Sequence, residues 1–453
     1  MPRQSLLARL GLHRPELRAW AMFDWATSAV QTTIITAVFP IYFVKVAGAN
    51  LAESGATQRL ATVNTIALVI IAIASPILGA VSDYSAVKKR FIAGFMGLGI
   101  LATAALFVVN TGDINLASWL FIAVLCGAAG CFVFYEALLP HIATPEEMDR
   151  VSSAGYALGY LGGGLLLALN LAWIQKPEWF GLSSANNLPV RLAFVSVAVW
   201  WLVFSIPLFR RVPEPRRKIE VDERSRENPL RVAIVRVGET FRELRGYRQA
   251  FLMLLAFLIY NDGIQTIIKM ATAYGTEIGI QQGALIGAIL LVQFVGIPCT
   301  FLFGSLAHAV GPKRAIFAGL LAYAAISILG YFMTSATHFY ILAGLVGMVQ
   351  GGTQALSRSL FASMIPQHKS GEFFGFFSIF EKFAGIFGPL IFALTIAVSG
   401  SSRNAILSVI AFFAAGAGIL WVVDVAEGRR AAREAEHEVL APEATAPSAA
   451  ARS

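Results

Sequence analysis

GAVSDYSAVKKRFIAG (79–94) returns as GSLAHAVGPKRAIFAG (304–319), 225 residues later, with each copy set between long apolar runs. At that offset Gly79 matches Gly304, Lys88 matches Lys313 and Gly94 matches Gly319, while Pro140 and Gly162 find Pro366 and Gly388 at an offset of 226. A register kept over more than 80 residues means two related halves in parallel order. In a membrane chain such halves point to a transporter.

The chain is of the membrane class. Its hydrophobic fraction is 57%, its charged fraction 14% and its mean hydropathy +0.68, more apolar surface than a soluble domain can bury. A helix needs about 20 apolar residues to cross a hydrocarbon core of ~30 Å. Twelve runs of that kind lie near 20–44, 60–82, 91–110, 117–139, 152–174, 191–209, 250–274, 283–306, 314–333, 339–363, 373–398 and 404–425, and are numbered here as spans 1 to 12. They lack the alternation of a membrane barrel, so the expected class is all-α integral membrane. Twelve transmembrane helices then form two six-helix bundles, related by a pseudo-two-fold axis along the membrane normal. The first run follows a polar start (Arg3, Arg9, Arg14, Arg18) and is of spanning length, which reads as a retained anchor, not a cleaved signal. Cys126, Cys131 and Cys299 all fall within spans, as small packing residues.

Charge placement gives orientation. With both termini cytoplasmic, 28 of the 35 Lys and Arg lie on the cytoplasmic side, five outside (Lys45, Arg59, Lys176, Arg191, Arg403) and two, Lys269 and Lys382, within spans. That bias fits the positive-inside rule and a multi-pass protein of the cell (inner) membrane. The net charge of +8 is then a topology signal, with no nucleic-acid partner implied. Four segments follow: a bundle at 1–209, a basic cytoplasmic linker at 210–249, a second bundle at 250–426 and a partly disordered tail at 427–453. The linker carries twelve basic and seven acidic residues. In it, Asn228 and Pro229 open an amphipathic pattern (Leu230, Ile234, Val237, Phe241, Leu244) suited to lying on the membrane surface.

The doubled loop reads as a gate. Gly79 and Gly304 allow close helix approach beside basic clusters, Lys88, Lys89 and Arg90 in one copy and Lys313 and Arg314 in the other. Asp83 can accept from a neighbouring helix N-terminus or from the basic cluster, latching one face until the halves rock apart. Topology and packing alone are the plainer explanation. His308 stands where the first copy has the aspartate, so a latch there is weaker or pH-sensitive.

This loop between spans 2 and 3, repeated between spans 8 and 9, resembles the hallmark of the major facilitator superfamily, over about residues 15–425. AMFDWATSAVQTTIITAVFPIYF (21–43), IYNDGIQTII (259–268) and QALSRSLFASMIP (354–366) are similar to the vacuole-effluxer-like branch. That branch includes fungal vacuolar amino-acid exporters linked to autophagy. The resemblance implies a central cavity lined by spans 1, 4, 7 and 10.

Within the spans stand Asp24, Glu136, Asp262, Lys269, Glu381 and Lys382, with Arg358 near an inner end. A charge at mid-bilayer costs at least ~2.5 kcal/mol, so each needs a partner or a task. Asp24 is followed by Ser28 at +4 and Gln31 at +7, and Asp262 by Thr266 at +4 and Lys269 at +7, which stacks each trio on one helical face. Gln350, Gln354 and Arg358 repeat the pattern on span 10. Three polar stripes make a wet cavity. Structural alternatives stand beside each role: Asp24, six residues from Arg18, can pair near the inner surface, and Glu136 lies four residues before Pro140. Lys269 can pair with Asp262 or with Glu381. Arg358 can hold a substrate carboxylate or close the inner gate on Glu136. Glu381 and Lys382 are adjacent, so only one faces the cavity centre.

The resulting expectation is secondary transport of a small solute, amino acids first and by export, through proton-coupled alternating access by a monomer. Asp262 or Glu381 takes the proton; Arg358 or Lys269 engages an anionic group. Export of another amphiphile, or a non-transporting receptor or lipid-moving role, are the rivals. GYALGYLGGG (155–164) in span 5 resembles the glycine-rich signature of superfamily exporters with Tyr160 in place of its proline, and helix packing explains the glycines equally. Gly388–Pro389 partly restores the motif in span 11. No nucleophile elbow, phosphate loop or paired histidines occur among His13, His141, His308, His338, His368 and His437, so no enzyme, metal or cofactor is expected.

Overall fold

The computed structural model describes residues 6–51, 53–215, 247–277, 279–385 and 387–444, and no strand occurs among them. The linker helix expected at 228–245 and the end of the tail lie outside the described residues. Among the described residues, eleven helices are long and apolar enough to cross a membrane. They run Pro15–Ala47, Gln58–Ser85, Lys88–Val108, Ile114–Ile142, Met148–Gln175 and Ala185–Arg211 for spans 1 to 6. Arg248–Ala271, Gly287–Val310, Pro312–Tyr331 and Ala336–Ala362 form spans 7 to 10, and Arg403–Val422 forms span 12.

Span 11 departs from the expected single helix. It is built from two shorter ones, Ser370–Phe383 and Phe387–Ser399. Ala384 is extended and Gly385 has φ +87°, a conformation open to glycine but strained for other residues, so the helical hydrogen-bond ladder stops there. Span 1 also departs from regularity, with nine residues, Val30–Val38, winding as a π-helix. Thr36 Oγ1 donates to the Gln31 carbonyl five residues back (2.8 Å), a partner that a tighter α-turn would move away.

Packing reveals the internal symmetry directly. Span 1 packs on 6 as 7 does on 12, span 2 on 4 as 8 on 10, and span 3 on 4 as 9 on 10. The two main contacts between the halves, spans 2 with 11 and 5 with 8, exchange under the same operation. Glycine sets the depth of the crossing of spans 2 and 11. A Cβ on Gly79 would lie 2.3 Å from the Gly371 carbonyl oxygen, and one on Gly375 would lie 2.8 Å from Pro76 Cα. The fold is therefore twelve helices in two parallel six-helix repeats about a pseudo-two-fold axis.

The loop copies share one device with a shift of register. Lys89 Nζ donates to the carbonyls of Phe209 (2.9 Å) and Val212 (2.7 Å), closing the end of span 6. Lys313 Nζ donates to those of Trp421 (2.8 Å) and Val423 (2.7 Å), closing the end of span 12. Sequence offset pairs Lys313 with Lys88; position in the fold pairs it with Lys89. The slip follows the turn, because span 3 starts at Lys88 and span 9 at Pro312, 224 residues on. Lys88 is thereby released for a contact without counterpart in the second copy. Beyond span 12, a helix at Val425–Ala444 runs under the loop-bearing face, where Glu436 accepts from the Gln367 amide (2.9 Å) and Arg429 donates to Ser363 Oγ (3.2 Å).

Candidate functional site

A cavity of about 920 Å³ lies between the halves. Ser28 and Gln31 of span 1, Thr266 and Lys269 of span 7, and Gln350 and Gln354 of span 10 all line it. The three stripes thus face one space. Asp24, Glu136 and Glu381 line it too, whereas Asp262 and Arg358 do not. The side chain of Lys382 lies outside the described residues. Sequence reasoning missed Gln265, Gln293 and Asn64, uncharged groups on spans 7, 8 and 2 that also reach the cavity.

Toward the doubled loop the cavity is closed by contacts between the halves. Asp83 bonds Lys88 Nζ and accepts the amides of Gly371 (3.1 Å) and Glu372 (2.9 Å) at the start of span 11. That placement sets a carboxylate on the unsatisfied N–H groups of a helix start, held by a neighbouring ammonium. Ser370 Oγ meets His141 Nε2 at 3.0 Å, and Gln367 Nε2 donates to the Pro140 carbonyl at 2.9 Å. On the second crossing Ser152 Oγ donates to the Ala355 carbonyl (2.7 Å) and Ser359 Oγ to Asp149 (2.6 Å). The copies are unequal here: Asp83 is buried and His308 exposed. Arg90 and Arg314 are both exposed. At the other end the lining reaches Tyr274, Met333 and Phe339, near the far ends of their helices.

Arg358 sits beneath the cavity floor at 1% exposure and ties the halves together. Both terminal nitrogens reach Asp24 Oδ2 (3.4 Å), and one lies 3.8 Å from Glu136 Oε1. Nε donates to Ser152 Oγ (2.9 Å) and a terminal nitrogen to the Ser152 carbonyl (3.0 Å). Tyr135 donates its hydroxyl to the same Asp24 oxygen (2.8 Å). The guanidinium carbon lies over the rings of Tyr156 (4.5 Å), Trp20 (4.8 Å) and Tyr135 (5.9 Å). Of the two expectations for this arginine, pairing between the halves is the one the geometry displays, with Asp24 nearer than Glu136. A scan for charged residues could not find Trp20, Tyr135, Tyr156 and Ser152, because an apolar run hides them. Gly155 makes room for the cluster, since a Cβ there would sit 2.4 Å from Asp24 Oδ2. Gly159 and Gly162 admit Ser28 and Trp25 in the same way, so these glycines of span 5 seat span 1. Tyr160 fills notches at Gly296 and Gly351 of the opposite half, where a proline ring would be too small.

Asp262 and Lys269 bracket the break in span 11. Asp262 Oδ1 accepts the amides of Gly385 (2.7 Å) and Gly388 (2.9 Å), and Lys269 Nζ donates to the Gly385 carbonyl (3.2 Å). A carboxylate at the start of the second half-helix and an ammonium at the end of the first both complement the local dipoles. Gly388 has no space for a side chain, because its Cβ would lie 1.8 Å from Thr266 Oγ1. Asp262→Ala is expected to cost about 1–2 kcal/mol, the size of a lost helix cap, whereas Asp262→Asn keeps an acceptor oxygen and most of the stability. Thermal unfolding of the two variants beside wild type checks this, and equal losses would refute it.

A model of the family described as vacuole effluxer Atg22 like matches residues 56–433. The chain belongs to this family. The uncharacterized MFS-type transporter YxiO of Bacillus subtilis is 36% identical over 411 residues, 89% of this chain and 93% of that one. Autophagy-related protein 22 of Yarrowia lipolytica is 26% identical over 315 residues, 63% of this chain but about half (52%) of the fungal protein. Among solved structures, the human organic anion transporter MFSD10 superposes with a TM-score of 0.64 at 15% identity, covering 92% of this chain and all (100%) of that one. The major facilitator transporter FucP, in its outward conformation, gives a TM-score of 0.64 at 12% identity, covering 91% and 100%. At such identities the likeness shows the fold alone, and that fold is the major facilitator one. This Atg22-like protein is accordingly a multi-pass integral membrane transporter of the major facilitator superfamily, with a small-molecule solute as its cargo.

Proposed function

We propose that this Atg22-like transporter exports a small zwitterionic solute, amino acids being the first class to test, by proton-coupled alternating access. The observation that carries the reading is the cavity itself, sealed between the halves at the loop face and lined by polar stripes from both. With the Lys- and Arg-rich loop face in the cytoplasm of a cell (inner) membrane and both termini there, the described state is open outward. The gate on that face comprises Gly79, Asp83, Lys88 and Lys89, with Gly304, Lys313 and their neighbours as the second copy. A monomer with bundles at 1–209 and 250–426, the linker at 210–249 and the tail at 427–453 suffices for this cycle.

Roles divide by what each side chain already does. Asp262 is occupied with two backbone amides, so it serves to hold the break in span 11. Glu381 faces the cavity and is the acid we assign to proton uptake, with Lys269 facing an anionic group of the solute. In liposomes holding the purified protein, an imposed proton gradient is expected to drive flux of one amino-acid group. Glu381→Gln should abolish gradient-driven flux while solute-for-solute exchange persists. Undiminished gradient-driven flux in that variant would remove the assignment, and absence of any amino-acid flux would turn the reading to an amphiphile. The rings of Phe132, Tyr160 and Phe392 in the lining favour that second cargo.

A further inference from the structure

The surroundings of Arg358 divide unevenly between the halves. Trp20, Asp24, Tyr135, Glu136, Ser152 and Tyr156, its described ring, ion-pair and hydrogen-bond partners, all come from the first half, whereas the guanidinium comes from the second. The first half therefore carries a receptor for a cation: three ring faces within 5.9 Å, two carboxylates at 3.4 and 3.8 Å, and a hydroxyl and a carbonyl at 2.9 and 3.0 Å. Ring faces attract a cation through their quadrupole, most strongly where water is excluded. Carboxylates and a carbonyl accept its N–H groups. Its present occupant is tethered to span 10.

That occupant cannot stay when the loop face opens. Span 10 moves with the second half, and the guanidinium leaves with it. Asp24, buried at 5% exposure, then lacks its cation, which is costly unless another replaces it. Asp24, Glu136 and Tyr156 already line the cavity, so a solute in the cavity has access to the vacated place.

We propose that this cluster is a cation-binding subsite of the transport cavity, which takes the primary ammonium or guanidinium group of the solute when the loop face is open, and that Arg358 is its built-in occupant when that face is closed. The subsite rests on the transporter reading and adds to it a mechanism of release. Solute and Arg358 compete for the same box, so closure of the loop face expels the solute's cationic end into a cavity open on the other side. Binding on one face and displacement toward the other follow from a single exchange of cations.

Methylguanidinium is the probe, used on the purified full-length protein by equilibrium binding and by thermal midpoint. Arg358→Ala is expected to bind it saturably and at least about tenfold more tightly than wild type, whose box is filled, with a rise in the midpoint. Adding Tyr156→Ala should weaken that binding again by about tenfold. A folded Arg358→Ala protein that binds methylguanidinium no better than wild type overturns the proposal. Should Arg358→Ala not fold, Asp83→Ala, which releases the loop face while keeping Arg358, is measured in the same way. Tighter methylguanidinium binding than in wild type is expected there too, and unchanged binding overturns the subsite. Liposome flux is read separately. Flux in the wild-type protein without methylguanidinium binding in these variants discards the subsite and keeps the transporter; binding in the variants with no flux in the wild-type protein does the reverse.

Discussion

Arg358→Ala is expected to be inactive in solute flux and less stable by about 3–5 kcal/mol, the cost of leaving a buried charge without its partner. The guanidinium is buried at 1% exposure against Asp24 at 5% and Glu136 at 3%. Removing it leaves the Asp24 carboxylate with the Tyr135 hydroxyl as its remaining described hydrogen bond. Arg358→Lys should not restore the function. One ammonium cannot reach Asp24, Ser152 Oγ and the Ser152 carbonyl from within a stack of three rings, as the planar fork does. The partner variant tests the cause. Asp24→Asn combined with Arg358→Ala should be more stable than the sum of the two single losses allows, by about 0.5–3 kcal/mol, the range found for residues in direct contact. Thermal unfolding of the four proteins measures this cycle. An Arg358→Ala protein within about 0.5 kcal/mol of wild type would show that the pair carries no net burden, contrary to the burial argument.

How far the sequence discloses this arrangement depends on the kind of signal. Span number and the parallel repeat are written in long apolar runs and a doubled loop, because the bilayer enforces length and backbone satisfaction. The polar stripes on spans 1, 7 and 10 were legible for a related reason: helical spacing fixes which residues share a face, and hydrocarbon tolerates no polar face turned outward. Partner choice was not legible. Arg358 meets Asp24 from 334 residues away, and nothing in either local pattern ranks that pair above Arg358 with Glu136. The aromatic cage escaped because Trp20, Tyr135 and Tyr156 look like ordinary apolar filling in a membrane helix. The break in span 11 escaped because FEKFAGIFGPL (380–390), apart from Glu381 and Lys382, reads as part of one apolar run of spanning length. Its interruption becomes favourable only through Asp262 and Lys269 on another helix. Even the repeat misleads by one residue, since the turn that matches Ala86 (φ +50°) with Gly311 (φ +91°) is followed by helices whose starts differ by 224.

Gly79→Val is expected to prevent closure of the loop face, and Gly304→Val to affect it far less, although the two glycines occupy matching places in the repeat. The difference lies in what stands opposite. At Gly79 the space for a Cβ is taken by backbone, the Gly371 carbonyl oxygen at 2.3 Å and its carbon at 2.7 Å. Backbone at the start of a helix cannot turn aside, and Gly371 itself is fixed by the hydrogen bond its N–H donates to Asp83. Any side chain therefore drives spans 2 and 11 apart and strips Asp83 from the helix start it caps. At Gly304 the opposing atoms are the Ser153 hydroxyl at 2.8 Å and its Cβ at 2.9 Å. A hydroxyl can rotate, so only the second of these contacts asks for a small backbone shift. Unequal obstacles at equivalent positions predict unequal populations of the closed state. A cysteine placed at Ser370 in each variant reports this through its rate of modification by a reagent confined to the loop-face side. Ser370 is fully buried beside His141 when the face is closed, so the rate measures the open fraction. Gly79→Val should raise the rate by about tenfold or more over the glycine protein, equivalent to a shift of ~1.4 kcal/mol or more in the two-state balance, with Gly304→Val in between. Equal rates in all three proteins would mean that the close crossing of spans 2 and 11 does not decide which face is shut.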